Sequence, residues 1–256
     1  MSLVSIKHLW KKYGENVVLE NVSLEIKEGD FCTLVGPSGC GKTTFLRMLL
    51  GQEQPTKGQF LLKGKPFPKE PGVERGIVFQ RYSVFPHLNA VENVMLGIEL
   101  GSSKFFGKLF GQKRKDAYQE AMQMLEAVGL QDAATKYPSE LSGGMQQRLS
   151  IAQALVKKPT ILLLDEPFGA LDPGVKADIH ALILDLWKKH HLTIVMVTHD
   201  LREGFSLGTR LLVFDKVRYD PQAPNAYGAK ITYDIPLHDK KETAFKKINQ
   251  TITREA

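Results

Sequence analysis

Residues Gly36 to Thr44, GPSGCGKTT, constrain the fold of this chain more than any other stretch. The run fits G-x-x-x-x-G-K-S/T, with Gly36, Gly41, Lys42 and Thr43 at the defining places. Before it, Phe31 to Val35 reads as a buried strand; after it, Thr43 to Leu50 reads as a helix stopped by Gly51. In that strand-loop-helix setting, glycines turn successive backbone N–H groups onto phosphate oxygens, and the helix start adds its positive dipole end. Lys42 supplies a point charge for the outer phosphates and Thr43 a hydroxyl for magnesium. Alone, the motif specifies a nucleoside triphosphate and nothing narrower.

With 256 residues, 43% of them hydrophobic, the chain is long and apolar enough for a real core, as one large domain or two small ones. No apolar run approaches the roughly 20 residues of a membrane span, and the start shows no signal-type core, so a cytosolic location is expected. Cys32 lies in the strand and Cys40 in the phosphate loop; a disulfide would distort that turn, so both read as reduced thiols. The formal charge of +6 is spread along the chain without a nucleic-acid-binding signature, and no nucleic-acid partner is expected.

Leu3 to Ile6 and Val17 to Ile26 alternate as strands of an antiparallel sheet ahead of the phosphate loop. From spacing alone, Tyr13 in this stretch reads as core. Beyond Gly51, Gln59 to Leu62 and Gly76 to Phe79 read as further strands, the second ending at Gln80. From residue 88 to 156 helical periodicity takes over, as an inserted helical subdomain. Its best helix runs from Lys115 to Val128, with Ala117, Ala121, Met124, Leu125 and Val128 on one face. The basic and aromatic segment Lys104 to Lys115 has two readings, a contact with phospholipid headgroups or a membrane partner, and a solvated loop.

The α/β pattern resumes at Thr160 to Leu164, a strand closed by Asp165-Glu166. Asp172-Pro173 reads as a helix cap and first-turn proline, with Val175, Ile179, Leu182 and Leu186 as the buried stripe. Thr193 to Val197 is another buried strand and delivers Thr198-His199-Asp200. The phosphate loop, the acidic pair and the histidine thus follow carboxyl ends of strands, where open α/β sheets hold ligands. Asp165 suits magnesium, and Glu166 suits a general base toward water. In isolation His199 reads as a core histidine. Ser142, Gly143 and Gly144, ahead of a helix read over Gln147 to Val156, form a second anion cradle. A dimer that holds each nucleotide between one copy's Lys42 loop and the other's Ser142 loop accounts for two cradles.

These residues together resemble the ATP-binding cassette ATPases, and among them the cytosolic subunits of bacterial importers. The likeness runs from about Leu3 to Phe214. Gly36, Pro37, Ser38, Gly39, Cys40, Gly41, Lys42, Thr43 and Thr44 resemble the Walker A loop; Ile161 to Glu166 the Walker B strand with its catalytic glutamate; and Leu141 to Gln146, with Ser142, Gly143, Gly144 and Gln146, the family signature. Gln80 is similar to the Q-loop glutamine, Ala170-Leu171-Asp172 to the D-loop, His199 to the switch histidine at the γ-phosphate, and Tyr13, with Val18 beside it, to the aromatic that stacks on adenine. The resemblance moves Tyr13 and His199 from core to function. Met145 stands where many signatures have Gln, and Gln153 where Arg is common.

The resemblance implies an α/β P-loop ATPase core over residues 1–237 with an antiparallel β subdomain, a helical insertion at 88–156 and a tail at 238–256. It implies ATP and Mg²⁺, the latter on Thr43, Gln80 and Asp165, with Glu166, His199, Gln80 and Lys42 as catalytic residues. Two copies, or this chain and a homologous ATPase subunit, close head to tail on ATP at the cytoplasmic face of the membrane. Separate permease subunits, met by Gln80 and Arg81 to Asn93, carry solute from a binding protein. Size and the segment Asp215 to Leu237 resemble the nitrate/sulfonate/taurine importers, with sugar, polyamine and amino-acid importers as the competing groups. A cassette ATPase acting on nucleic acid or ribosomes is the alternative from another class.

Overall fold

The computed structural model describes residues 2–80, 83–102, 109–169, 171–218, 220–223 and 225–237. The chain builds two compact units: one up to Pro71 and again from Thr193, the other from Gly72 to Leu192.

In the first unit β1 (Ser2–Tyr13) and β2 (Asn16–Lys27) form a long hairpin, followed by β3 (Phe31–Val35), α1 (Lys42–Leu50), β4 (Lys57–Leu62) and β5 (Lys65–Pro66). The strands β2-β1-β4-β5 make one antiparallel sheet, as the alternating residues require. By contrast β3 is buried at every position and needs cover on both faces. The helix that follows, α1, buries Phe45, Leu46, Met48, Leu49 and Leu50 and ends at Gly51 in the left-handed region.

The second unit holds β6 (Arg75–Val78), α2 (Ala90–Ser102), α3 (Gln112–Ala127), α4 (Gly143–Leu155), β7 (Ile161–Asp165) and α5 (Pro173–His190). Here β6 and β7 pair in parallel, Val78 opposite Leu164. On α3, Ala117, Ala121 and Leu125 are buried, while Met124 is half-buried. Two expectations need correction. The helix expected from Gln147 begins at Gly143, because Ser142 caps it through Oγ, which accepts from Met145 N at 3.3 Å. The buried stripe of α5 is Ile179, Ile183 and Leu186; Val175 and Leu182 fall on its half-buried shoulders. Asp172 occupies the N-cap position of α5 without a side-chain capping bond, and Pro173 sets the first turn.

The chain then returns to the first unit with β8 (Thr193–Val197), α6 (Leu201–Leu207), β9 (Arg210–Asp215) and β10 (Lys230–Pro236). Strand β3 lies between β8 and β9, parallel to both, and β10 closes antiparallel to β9. The Phe45 and Phe214 rings, 5.3 Å apart, seat α1 on β9. Among the described residues no helix is long and apolar enough to cross a membrane.

Candidate functional site

Each unit carries candidate residues at the carboxyl ends of two adjacent parallel strands. In the first unit β3 runs into the Gly36–Thr44 loop, and its neighbour β8 runs into Thr198-His199-Asp200, with Leu34 opposite Val197. In the second, β6 leads to Gln80 and β7 ends on Asp165, with Val78 opposite Leu164. Parallel pairing therefore brings the loop together with His199, and Gln80 together with the acidic pair.

The phosphate loop has a buried inner side and an exposed rim. Pro37, Ser38, Gly39 and Thr43 are exposed, whereas Cys40 and Lys42 are buried. Gly36 sits at φ +152°, and a Cβ there would lie 2.1 Å from the Phe214 carbonyl oxygen, so no side chain fits without moving the loop. Gly41 begins α1 without a side-chain cap, leaving the first-turn N–H groups for an anion. Lys42 folds back over this turn and donates to the Gly36 and Pro37 carbonyls, at 2.8 Å each. Its ammonium is thus held over the loop backbone. A Cβ on Gly41 would meet Val18 Cγ1 at 2.9 Å, which puts Val18 against the loop.

The cysteines are free thiols, both buried. Burial pushes Cys32 up to about 12. Burial also raises Cys40, and the nearby Lys42 ammonium offsets only part of that. A thiol reagent is accordingly a poor reporter of this loop, because the thiolate is scarce and the sulfur inaccessible.

Tyr13 is not core: it is 45% exposed at the end of β1. Its hydroxyl donates to Glu53 Oε1 at 2.7 Å, and Lys11 Nζ lies 4.7 Å from the ring centre. Periodicity placed it inward, but a hairpin strand that overhangs its sheet exposes its end. His199 is likewise exposed. The turn that carries it is fixed on both sides: Thr198 donates to Glu203 at 2.6 Å and accepts from Asp200 N, while Asp200 caps α6 by accepting from Arg202 N at 2.8 Å.

In the second unit Asp165 and Glu166 are both half-buried. Glu166 adopts φ +47°, a left-handed conformation that costs a non-glycine residue about 1–3 kcal/mol and is concentrated at functional sites. Its carbonyl accepts from Gly169 N at 3.2 Å, closing a turn. The Gln80 side chain lies along this turn: a Cβ on Gly169 would stand 3.3 Å from Gln80 Nε2. Gln80 and the acidic pair are therefore neighbours. Ala170, first residue of the D-loop, falls outside the described residues, as do Arg81, the part 103–108 of the basic segment and the tail from 238.

The second cradle is the start of α4. Ser142 is exposed, and Gly144 packs so close to α5 that a Cβ would lie 2.5 Å from Val175 Cγ1. Gln146, expected as a nucleotide contact, has its amide nitrogen engaged within its own unit. Its amide donates inward to the Pro138 and Leu141 carbonyls, at 2.9 and 3.1 Å, and so holds the loop that presents Ser142. Gln153, the other departure from the family pattern, donates to Asn93 O and Oδ1 at 3.2 and 3.0 Å. Asn93 itself is fully buried and binds Phe85, Leu88 and Asn89, which ties α4 to the segment ahead of α2. The sequence signal was there, an Asn one turn inside a helix capped by Asn89 and Glu92, but nothing local showed its partners.

A family model described as ABC transporter matches residues 19–169. The spermidine/putrescine import ATP-binding protein PotA of Bacillus thuringiensis (strain Al Hakam) is 39% identical over 216 residues, which cover 84% of this chain and 63% of that protein. The chain thus spans less than two thirds of the length of the PotA relatives it matches. The bicarbonate transport ATP-binding protein CmpD of Synechocystis sp. (strain ATCC 27184 / PCC 6803 / Kazusa) is 41% identical over 216 residues, 83% of this chain and 74% of that protein. Among solved structures, a dimeric post-hydrolysis state of the ATP-binding cassette MJ0796 bound to ADP and Pi superposes with a TM-score of 0.71 at 30% identity, over 92% of this chain and 99% of that one.

Proposed function

The chain belongs to the ABC transporter family, and from that premise we propose that it binds and hydrolyses ATP as the energy-coupling subunit of an importer. The observation that carries hydrolysis is the conformation of Glu166. The Glu166 carboxylate, at φ +47° beside Asp165, stands at the end of a buried strand and next to Gln80, and that placement supports a role in the chemistry. In the proposed reaction Glu166 takes a proton from the attacking water, and Gln80 and His199 orient that water and the γ-phosphate. Lys42 draws charge from the β- and γ-phosphates, releasing its hold on Gly36 and Pro37. Tyr13 stacks on the adenine beside Val18.

In the second unit the Asp165 carboxylate and the Gln80 amide oxygen have the chemistry of magnesium donors, and in the first the Thr43 hydroxyl does. These are few, hard oxygen ligands, as Mg²⁺ takes when phosphates and water complete its shell. Bound there, it would neutralise phosphate charge.

The second cradle supports a dimer in which Ser142, Gly143 and Gly144 of one copy close on the nucleotide of the other. Permease subunits in the membrane and a solute-binding protein complete the proposed assembly, with this chain on the cytoplasmic face. For the solute we favour the nitrate/sulfonate/taurine class. The likeness to a bicarbonate transport protein supports this class, and the likeness to spermidine/putrescine import proteins supports a polyamine as the competing solute. Stimulation of the assembled transporter's ATPase by nitrate, taurine or spermidine, each with its binding protein, separates these solutes.

The test of the catalytic assignment is Glu166→Gln. It is expected to bind ATP with unchanged affinity and to hydrolyse it about 10²–10⁴-fold more slowly, the span general-base catalysis supplies. Hydrolysis at the unmodified rate would remove Glu166 from the reaction.

A further inference from the structure

The reading of Tyr13 as the adenine platform leaves open what keeps an exposed phenol ring in place. An unsupported tyrosine at the end of a strand samples several rotamers, and a base that stacks on it must first freeze them. Here two charged side chains do the freezing. Lys11, two residues earlier in β1, is buried to 9% exposure and sets its Nζ 4.7 Å from the ring centre. Glu53, in the turn beyond α1, accepts the Tyr13 hydroxyl through Oε1 and the Lys11 ammonium through Oε2, both at 2.7 Å. The same ammonium donates to the Gln54 carbonyl at 2.9 Å. Each member of the triad touches the other two, so the ring is gripped at one face and at its tip.

The charges fit this arrangement. The Lys11 ammonium and then the Tyr13 hydroxyl hold the Glu53 carboxyl below its ordinary range. Burial, followed by the bond to Glu53, raises the Tyr13 phenol. At neutral pH the hydroxyl is therefore a donor and the carboxylate an acceptor. The ammonium covers part of the ring, and at 45% exposure Tyr13 still offers surface to a flat ligand. The anchor also lies in a telling place. Glu53 and Gln54 follow directly on α1, whose first turn carries Lys42 and Thr43. A base on the ring and phosphates at the start of α1 are thus referenced to one rigid element.

We infer that Lys11 and Glu53 are positioning residues that pre-set the Tyr13 ring for an adenine base, so that they govern affinity for the base and not for the phosphates. This rests on the stacking role proposed for Tyr13, and the experiment separates the two. Binding of ATP and of inorganic tripolyphosphate is measured by titration calorimetry for the full chain and for Tyr13→Ala, Lys11→Met, Glu53→Gln and Tyr13→Phe. Tyr13→Ala is expected to weaken ATP about tenfold or more, the worth of one stacked base. Lys11→Met, Glu53→Gln and Tyr13→Phe should each weaken it about 3- to 10-fold, as the loss of one cation–π or hydrogen bond does. Tripolyphosphate affinity should stay at the wild-type value in all four, which also reports that they fold. Added to Tyr13→Ala, Lys11→Met should have no further effect, because the ring it positions is gone. The inference is overturned if the clamp variants leave ATP affinity unchanged, lose tripolyphosphate in parallel with ATP, or add their full effect to Tyr13→Ala. Unchanged ATP affinity in Tyr13→Ala itself would instead overturn the stacking role.

Discussion

Replacing Asn93 by alanine should destabilise the protein more than any exposed change near the nucleotide residues, and the structure gives the size of the effect. Its amide nitrogen donates to Phe85 O at 3.1 Å, Leu88 O at 2.8 Å and Asn89 O at 3.0 Å. Its oxygen accepts from Phe85 N at 2.7 Å and Gln153 Nε2 at 3.0 Å. Alanine leaves these groups without that side chain in a site where Asn93 has no exposure at all. Each buried group so orphaned costs about 1–3 kcal/mol. Phe85 is itself 42% exposed, so water relieves part of its loss, and Gln153 keeps its bond to the Asn93 carbonyl. The sum is about 2–4 kcal/mol, a large share of the roughly 5–15 kcal/mol that holds a domain folded. Urea unfolding followed by circular dichroism reads it as a lower midpoint with an unchanged slope. Gln153→Ala, which removes two bonds from a half-buried amide, should cost about 1 kcal/mol in the same assay. A loss below about 1 kcal/mol for Asn93→Ala would refute the reasoning.

Two further outcomes follow from the first unit. Gly36→Ala forces its Cβ to 2.1 Å from the Phe214 carbonyl oxygen; the loop must shift, and strain of about 1–3 kcal/mol should appear as a tenfold or greater loss of ATP affinity by calorimetry. Glu20, buried to 3% exposure, has its carboxyl lowered from the ordinary 4.5: burial alone would raise it, but the Gly228 N–H, Lys230 and Arg218 outweigh burial. A depressed folded value means that the contribution is full above about pH 4.5 and is lost as the pH falls through the folded value. Glu20→Gln should therefore lower the unfolding midpoint at pH 7 and converge with the parent chain in acid; a constant difference between pH 7 and pH 3 would contradict the ion pairing.

The strands, the phosphate loop and the acidic pair were legible because their signals are local. A run such as Phe31 to Val35 is apolar throughout, and Gly36, Gly41 and Lys42 stand at fixed spacing in one turn. What could not be read was set by partners far along the chain. Tyr13 meets Glu53 and Asn93 meets Gln153, pairings that no periodicity encodes. The phase of α5 was misjudged because Leu182 and Ile183 are equally apolar, and only packing chose Ile183. Gln146 sits in the signature, and nothing local showed that its amide nitrogen serves the Pro138 and Leu141 carbonyls. Motif position identified the loop, but not which of its side chains face outward.

In the proposed dimer the Lys42 loop of one chain and the Ser142 cradle of the other meet on ATP. Sedimentation of the Glu166→Gln chain, which binds ATP without consuming it, tests this directly when run with and without ATP and repeated with Ser142→Arg added. A dimer is expected only with ATP, and a monomer once Ser142→Arg is present, with ATP still bound. An ATP-bound monomer in the Glu166→Gln chain, or a dimer that survives Ser142→Arg, would contradict that arrangement.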